Sequence, residues 1–281
     1  MIKCIFTNIK NEHLYLEQWL NYHIKLGFNK FILYEDEGSE SHADIIAKYK
    51  DVTDIDFYDY VLQKDDPTFK DTKCFQHILE NYNDIDWIIK LDPDEYISFG
   101  DGHTTIDDLL YNIGDNVNQL FLYWRLYNAN GLIDCPSLGK YSLIDTYISY
   151  VPHKNLATYF DANTSSIIYD TGKALFRYSS IKDRQTFKIS ESLPHYISDT
   201  EATKNFDPDY LCINHYITKS FDEYYHRLKD KGEYNVNNYR KLGDFFVLNP
   251  DMIAKIPEIE NKYKIDIFSF QTKLNTATDD N

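Results

Sequence analysis

The sequence predicts an α/β protein with a mixed, mostly parallel sheet covered by helices and a C-terminal α+β or helical extension. Three observations predict this class: short apolar segments of strand length, amphipathic segments of helix length, and their alternation along the first hundred residues. A chain of 281 residues with 43% hydrophobic content is long enough for one sizeable core with a small appendage.

Four strands are predicted in the first hundred residues, at the segments IKCIFTNI, KFILYEDEGSES, VTDIDFYDY and DWIIKLD. Between the first two strands, apolar residues recur at helical spacing in EHLYLEQWLNYHIKLG, and Gly27 provides the helix stop. Further helices are predicted at residues 43–50 and 72–82. Strands and helices alternating at this spacing favour parallel strands with helical crossovers.

The pattern changes after about residue 100. A helix near residues 105–112 leads to the predicted strand QLFLYWRLY, which is followed by a long irregular region over residues 128–209. YLCINHYITKSFDEYYHRLKDKG predicts a strand and then a helix, and Ser220 and Glu223 have the spacing of a capping box. From Pro250 onward the sequence predicts a short helical stretch and a polar tail.

Charge and cysteine content exclude several classes of protein. A net charge of −16 argues against nucleic acid as a partner and against docking on anionic lipid through a basic face, which leaves at most peripheral membrane association. The four cysteines stand singly, as expected for free thiols in a reducing compartment. Because no signal peptide or membrane span is recognisable, we expect a soluble, cytoplasmic protein of undefined oligomeric state.

The segment DWIIKLDPDEYISF places three acids within four residues at the end of an apolar run. Close carboxylates repel one another unless a positive charge lies among them. Pro93 ends the strand and favours an extended backbone at Asp92, so that Asp92 and Asp94 can point to one ion. Hard divalent cations prefer such oxygens together with substrate phosphates, although a solvated Asp-Pro-Asp turn remains an alternative.

Two further features favour a site at this edge of the sheet. The loops at residues 7–12, 35–37 and 92–95 are all polar and follow predicted strands, and ligands of open α/β sheets gather beyond the carboxyl ends of strands. His215 lies in a short apolar stretch before a capped helix, where a neutral imidazole is a suitable Mn²⁺ ligand or a buried core residue.

These residues carry a family resemblance. The segments TNIKNEHLYLEQWLNYHIKLGFNKFILYEDEGS and DWIIKLDPDEYI, followed by WRLYNANG, GKALFR, a later His195 and INHYITKSFDEYYHRLKDKG, resemble GT-A type (Rossmann-like) glycosyltransferases of the family-2-like and family-92-like group. The resemblance covers residues 2–232. It implies a glycosyltransferase domain over 1–232, with a nucleotide-sugar-binding half at 1–100, an acceptor-side half at 101–232, and a C-terminal helical extension and tail at 233–281.

The resemblance also implies the reaction and its residues. A sugar passes from a nucleotide sugar, here expected to be a UDP-sugar, to a glycan or glycolipid hydroxyl with inversion of the anomeric centre. Asp92, Asp94 and His215 are expected to hold Mn²⁺ or Mg²⁺ against the donor diphosphate. The residues expected to border the nucleoside are Thr7, Asn8, Asn11 and Glu12, with Asp36 near the base or ribose.

Other side chains are candidates for the chemical step. Lys173, Arg177 and Lys219 are candidates to stabilise the negative charge of the leaving group. An acceptor hydroxyl needs a general base, for which the candidates are Glu95, Glu191 and His195, and Trp124 and Arg125 are expected on the acceptor side. Two alternatives stay open: a sugar nucleotidyltransferase, disfavoured by the absence of glycine from TNIKNEHLYLE, and a non-catalytic sugar- or metal-binding module.

Overall fold

A computed structural model describes residues 1–36, 38–59, 70–100, 105–136, 142–151, 172–182, 203–205, 210–230, 242–265 and 267. The chain divides into two compact units. The first unit is formed by residues 1–125 and 166–215, and the second by residues 126–165 and 216–281. The chain therefore passes through each unit twice. The domain boundary predicted at residue 232 stays a prediction from the sequence.

In the described part of the chain, nine strands form one mixed sheet. They are β1 (Lys3–Ile9), β2 (Lys30–Glu35), β3 (Asp54–Asp59), β4 (Trp87–Lys90), β5 (Glu95–Phe99), β6 (Gln119–Leu126), β7 (Gly172–Arg177), β8 (Thr203–Asn205) and β9 (Leu211–His215). The strand order is β3-β2-β1-β4-β7-β6-β9-β5, and β8 pairs with β6. Strands β3, β2, β1 and β4 are parallel, whereas β4–β7, β7–β6 and β9–β5 are antiparallel.

The helices are α1 (Leu16–Leu26), α2 (Ala43–Ala47), α3 (Lys70–Asn81), α4 (Ile106–Asn112), α5 (Leu143–Thr146), α6 (Tyr178–Lys182), α7 (Phe221–Asp230), α8 (Leu242–Leu248) and α9 (Ile256–Tyr263), with a 3-10 turn at Pro250–Lys255. The predicted strand and helix alternation of the first hundred residues is therefore confirmed. Strands β5, β7 and β8 were not predicted, because β5 follows β4 after only four residues and β7 and β8 lie in the region expected to be irregular.

Helix α1 buries Leu16, Trp19, Leu20 and His23 along one face, as its apolar spacing predicts. Gly27 ends it with φ 107°, a left-handed conformation that favours glycine. Two side chains of this helix contact strand β5: the indole of Trp19 donates to the carbonyl of Glu95 at 3.0 Å, and the hydroxyl of Tyr22 donates to that of Ile97 at 2.6 Å. These bonds satisfy acceptors of an edge strand and fix its start.

On the opposite face of the sheet, helix α3 packs on a hydrophobic cluster built from alternate strand residues. Phe6, Ile32, Ile88 and Phe176 come from four strands, and Ile78 comes from the helix. Side chains of one strand alternate between the two faces, so buried β1 residues contribute to this cluster and to the α1 side in turn. The parallel strands are thus covered on both faces, which is the usual environment of a parallel sheet.

Gly172 permits the close approach of β7 to β6. A Cβ atom at this position would lie 2.1 Å from the carbonyl oxygen of Leu122, so no other residue fits without a backbone shift. The next residue, Lys173, pairs with Leu122 in the antiparallel register and is 1% exposed. The glycine therefore allows a buried lysine to enter the sheet beside the acids that follow β4.

The second unit contains the predicted helical extension. Helices α7, α8 and α9 share a core that includes Phe221, Leu228, Phe245 and Ile259. The capping box of α7 is confirmed: the amide of Glu223 donates to the Ser220 hydroxyl at 3.3 Å, and the amide of Ser220 donates to the Glu223 carboxylate at 3.2 Å. In the described residues, no helix has the length and hydropathy that a membrane crossing requires.

We expect His23 to make the fold acid-sensitive. Burial lowers its pKa from 6.5 to about 3, although its Nδ1–H bond to the Trp19 carbonyl at 2.9 Å opposes this shift. Because the folded pKa lies below the unfolded one, the stabilisation is complete above pH 6.5 and is lost as the pH falls toward 3. The free energy of unfolding should fall by about 1.4 kcal/mol per pH unit in that window through this one group.

The substitution His23→Phe tests this expectation by urea unfolding at pH 4.5 and 7. The variant keeps an aromatic ring among its aromatic neighbours and should lose this component of the pH dependence. His226→Gln is the matched control, because it removes a histidine whose side chain is 59% exposed. An identical pH slope in wild type and His23→Phe would contradict the expectation.

Candidate functional site

The acids predicted from the sequence lie in the acid loop (residues 91–94), which joins β4 to β5. Strand β4 ends at Lys90, before Pro93, as expected for a residue that cannot donate to a ladder. The loop closes on itself through two bonds: the amide of Glu95 donates to the Asp92 carbonyl at 2.9 Å, and the amide of Asp92 donates to the Glu95 carboxylate at 2.8 Å. These two bonds fix the backbone of Asp94, which lies between Asp92 and Glu95 in the chain.

Two lysines supply positive charge among these acids. The ammonium of Lys90 donates to Oδ1 of Asp92 at 2.5 Å, and that of Lys173 donates to Oδ2 at 2.8 Å. Lys173 also donates a short bond to Oε2 of Glu95, whose side chain is fully buried. The sequence argument anticipated Lys173 but missed Lys90. The signal for Lys90 was present, because a lysine two residues before Asp92 in an apolar strand lies on the same face.

The charges of the two lysines explain the protonation states of this cluster. Burial acts to raise the pKa of Asp92, but Lys173 and then Lys90 outweigh it and hold that pKa well below its ordinary value. Burial raises the pKa of Glu95, with the positive charge of Lys173 opposing the rise. Asp92 is therefore a permanent carboxylate that both lysines bind, which answers the repulsion expected for crowded acids.

The carboxylate of Asp94 lies beside the imidazole of His215. Its Oδ1 lies 3.7 Å from Nε2 of His215, and these residues are only 4% and 3% exposed. The antiparallel register of β5 and β9 pairs Glu95 with His215, and Nδ1 of His215 lies 3.9 Å from Oε1 of Glu95. The ring of Trp124 packs on the imidazole at a centroid distance of 4.7 Å. The sheet thus brings together two residues that are 121 positions apart in the chain.

The Asp94–His215 pair fits a divalent cation in its donor chemistry. A carboxylate oxygen and an imidazole nitrogen are both ligands that Mn²⁺ accepts. An ion with bonds of about 2.1 Å can contact two donor atoms up to about 4 Å apart, which includes the separation seen here. Within the described residues, no group of three or more His, Cys, Asp and Glu side chains is arranged to hold a metal.

The loops predicted to border a nucleoside lie side by side. The β1 loop (residues 10–15) and the β2 loop (residues 36 and 38–42) are joined by two hydrogen bonds. The Asn11 amide donates to the Ser39 hydroxyl at 3.0 Å, and the Glu40 amide donates to the Asn11 side chain at 3.1 Å. The amide of Asp36 donates to the Ile9 carbonyl at 2.9 Å. Parallel pairing of β1 with β2 places both loops at the same sheet edge.

The other predicted residues are more dispersed. Thr7 is fully buried, and Asn8 accepts a bond from the thiol of Cys74 at 2.9 Å. Lys219 belongs to the second unit, where it precedes the α7 cap with φ 52°. Arg177 pairs with Trp87 at the start of β4, the end opposite to the acid loop, and its guanidinium lies over the indole of Trp87. Glu191 and His195 lie outside the described residues.

Comparison with known proteins gives one match by sequence. A glycosyltransferase family 92 protein of Oryza sativa subsp. japonica is 23% identical to this chain over 140 residues. The chain is similar to glycosyltransferase family 92. This similarity confirms the resemblance predicted from the motifs. The match covers 48% of the chain and 23% of the rice protein, so the chain spans only about a quarter of that relative's length. No protein-family model matches the chain.

Two solved structures resemble this chain in fold. The crystal structure of residues 1–349 of TarS from S. aureus is 13% identical, with a TM-score of 0.44 over 87% of this chain and 68% of that one. HddC from Yersinia pseudotuberculosis is 12% identical, with a TM-score of 0.44 over 82% of this chain and all of its own. Both share only part of their geometry with this protein.

Removal of the Lys173 charge should destabilise the fold. The substitution Lys173→Met removes the cation shared by Asp92 and Glu95. Asp92 keeps Lys90, and Glu95, whose pKa burial raises to about 7, takes up a proton, so we expect a loss of about 2 kcal/mol from the broken bonds to charged groups. Urea unfolding at pH 7 measures the loss, and a double variant with Glu95→Gln should recover part of it.

Lys3→Met is the matched control, because Lys3 is also a buried strand lysine but its partner Asp107 is 55% exposed. That carboxylate stays hydrated when its partner is lost, so the cost should be below about 1 kcal/mol. Equal losses in the free energy of unfolding for the two single variants would show that the Lys173–Glu95 pair stabilises the fold no more than the Lys3–Asp107 pair does.

Proposed function

We propose that this protein transfers a sugar from a nucleotide-diphosphate sugar, specifically a UDP-sugar, to a hydroxyl of a glycan or glycolipid, and that the transfer requires Mn²⁺ or Mg²⁺. The observation that carries the proposal is the buried Asp94–His215 pair at the carboxyl edge of the sheet. The similarity to a family 92 glycosyltransferase supports the same reaction class. Family similarity is an analogy, so the argument below is made from the site.

We assign metal binding to Asp94 and His215. A bound divalent ion supplies Lewis-acid stabilisation of the charge that grows on the departing nucleoside diphosphate. Each of the two side chains gives one ligand atom, which leaves coordination positions for phosphate oxygens. This sharing is the usual arrangement for Mg²⁺, which takes one or two carboxylates and completes its shell with phosphates and water.

We assign Asp92 a role in positioning the acid loop, in addition to the metal contact predicted from the sequence. Each of its carboxylate oxygens already accepts a bond from a lysine, so a direct ligand bond to the metal requires one lysine to move. Lys90 and Lys173 also bring positive charge to an acidic protein that must bind an anionic donor. They thereby reduce the repulsion that a net charge of −16 imposes on a diphosphate.

The nucleoside is assigned to the β1 and β2 loops. Asn11, Glu12 and Asp36 lie on these adjoining loops, and carboxylate and amide oxygens accept hydrogen bonds from ribose hydroxyls and base N–H groups. Asn8 is the second-last residue of β1, two positions before the β1 loop, and its side chain accepts a bond from the thiol of Cys74. Thr7 is assigned a packing contribution to this strand end, because its side chain is fully buried.

We assign the deprotonation of the acceptor hydroxyl to Glu191 or His195, acting as general base. Glu95 suits this role less well, because its buried carboxylate already accepts bonds from Lys173 and from the amide of Asp92. A general base must lie within hydrogen-bond reach of the proton that it removes. Direct attack by the acceptor on the face opposite the leaving group inverts the anomeric centre, and we propose this stereochemistry.

The cysteines support a cytoplasmic location. Cys4, Cys74, Cys135 and Cys212 are all free thiols, and three of them are buried. Burial raises the pKa of Cys4 well above its ordinary value and raises that of Cys135 to about 11, so both stay protonated and unreactive at neutral pH. Free thiols of this kind are expected in a reducing compartment.

A screen of nucleotide sugars with Mn²⁺ tests the assignment of Asp94. We expect release of the nucleoside diphosphate from one donor, and Asp94→Asn should slow it by about 100-fold, equivalent to about 2.7 kcal/mol of transition-state stabilisation. Asp115→Asn is the matched control, because Asp115 is exposed and remote in sequence from the site. Unchanged turnover in Asp94→Asn removes this residue from the site.

A parallel assay, supplied with a nucleoside triphosphate and a sugar 1-phosphate, tests the first alternative. Release of pyrophosphate in that assay would identify a nucleotidyltransferase. Binding of sugar or metal without turnover of any donor would identify a non-catalytic module. Either result overturns the proposed transfer.

A manganese titration followed by electron paramagnetic resonance tests His215. Because the imidazole is one of two protein ligands, His215→Ala should weaken Mn²⁺ binding by at least about tenfold, or about 1.4 kcal/mol. His226→Ala provides an exposed histidine as control. Identical titrations for wild type and His215→Ala would exclude the imidazole as a ligand.

A further inference from the structure

We propose that Glu35 and His42 form a positioning pair that holds the β1 loop in its donor-binding conformation. This inference rests on the proposed function, because it treats the β1 loop as part of the nucleotide site. Neither residue was predicted to take part, and neither contacts the Asp94–His215 pair in the contacts described above. The pair is expected to affect how tightly the donor binds and to leave the chemical step largely unchanged.

One carboxylate oxygen fixes the orientation of His42. Oε1 of Glu35, at the end of β2, accepts bonds from the backbone amide of His42 and from its ring Nδ1, both at 2.8 Å. His42 is fully buried and Glu35 is 8% exposed. A carboxylate that binds the backbone and the ring of the same residue leaves the imidazole little freedom to rotate.

The second ring nitrogen receives a bond from the β1 loop. The backbone amide of Glu12 donates to Nε2 of His42 at 2.9 Å. A backbone N–H can only donate, so Nε2 must carry a lone pair and the ring proton must be on Nδ1, directed at Glu35. The neutral imidazole is thus an acceptor for the loop, and its tautomer is set by the carboxylate behind it.

The bond follows a sharp turn in the chain. Asn11, which precedes Glu12, has φ 55°, a left-handed conformation that Asn adopts more readily than most other non-glycine residues. The carbonyl of Glu12 accepts bonds from the amides of Tyr15 and Leu16, which start helix α1. Glu12 is therefore held by His42 on its amide side and by the helix on its carbonyl side, which positions both predicted nucleoside contacts.

The surroundings keep His42 neutral at physiological pH. Burial is the main cause of its lowered pKa, with Glu35 opposing the shift and the charge of His13 adding to it. The ring of His13 stacks on that of His42 at 4.0 Å, and Glu12 is the other charged residue that faces it. Protonation in acid would place a second N–H on the ring, remove the acceptor of the Glu12 amide and release the loop.

The test compares His42→Leu, His42→Gln and the exposed control His226→Gln in the full chain. His42→Leu removes the acceptor, whereas His42→Gln keeps an oxygen near the position of Nε2 and does not titrate. Two quantities are measured: amide exchange of the peptide that contains residues 10–15, and the affinity for UDP with Mn²⁺ between pH 5 and 7.5. Donor KM and kcat are measured where turnover is found.

For His42→Leu we expect faster exchange in the β1 loop and UDP affinity, or donor KM, worse by about tenfold, the scale of one buried hydrogen bond, with kcat within about threefold of wild type. His42→Gln should recover most of the affinity and show a flatter pH profile than wild type. Faster exchange with unchanged UDP affinity would make His42 a structural residue only and overturn the inference, as would unchanged exchange.

The same measurements distinguish a failure of the proposed function from a failure of the positioning role. If wild type binds none of UDP, GDP and CDP with Mn²⁺, the β1 loop is not a nucleotide site, and both the proposed function and the donor-binding role of this pair are wrong. If wild type binds UDP and His42→Leu binds it equally well, only the positioning role is wrong.

Discussion

The bonds from Lys173 to Asp92 and Glu95 are the interaction on which the rest of the site depends. Crowded carboxylates in a buried turn repel one another, and only a cation inside the turn allows them to remain close. The lysine comes from β7, and Gly172 before it permits the backbone approach that brings it there. With Asp92 and Glu95 fixed on the lysine, the turn holds Asp94, whose Oδ1 lies 3.7 Å from Nε2 of His215.

The antiparallel half of the sheet determines what Asp94 faces. Strand β9 returns beside β5 in a register that pairs His215 with Glu95, and helix α1 holds β5 through Trp19 and Tyr22. The parallel half determines where the donor loops lie, because β1 and β2 end at the same edge. Of the proposed metal ligands, Asp94 therefore comes from the loop between the parallel strand β4 and strand β5, and His215 comes from the antiparallel strand β9. The parallel half supplies the proposed nucleoside contacts.

The acid loop and the β1 loop are both held by hydrogen bonds to a buried side chain. In the acid loop a buried lysine bonds two carboxylates, and in the β1 loop a buried histidine, oriented by Glu35, bonds a backbone amide. In both cases a loop that carries proposed ligand contacts is fixed by a side chain from another strand or loop. Such preorganisation lowers the entropy that binding must otherwise overcome.

The sequence by itself determined the parallel β1–β4 half, helix α1 with its glycine stop, the capped helix α7 and the polarity of the strand-end loops. These features depend on local periodicity and on residues near one another in the chain. It also predicted Asp94 and His215 as metal ligands, through family resemblance and ligand chemistry, and the structure places the two side chains 3.7 Å apart. Only the tertiary structure decided that Lys90 and Lys173 bind Asp92, that β5 and β7 are strands, and that His42 contacts the β1 loop. Each of these depends on pairing between segments distant in sequence or on adjoining loops, and short strands acquire their conformation from such partners rather than from their own residues.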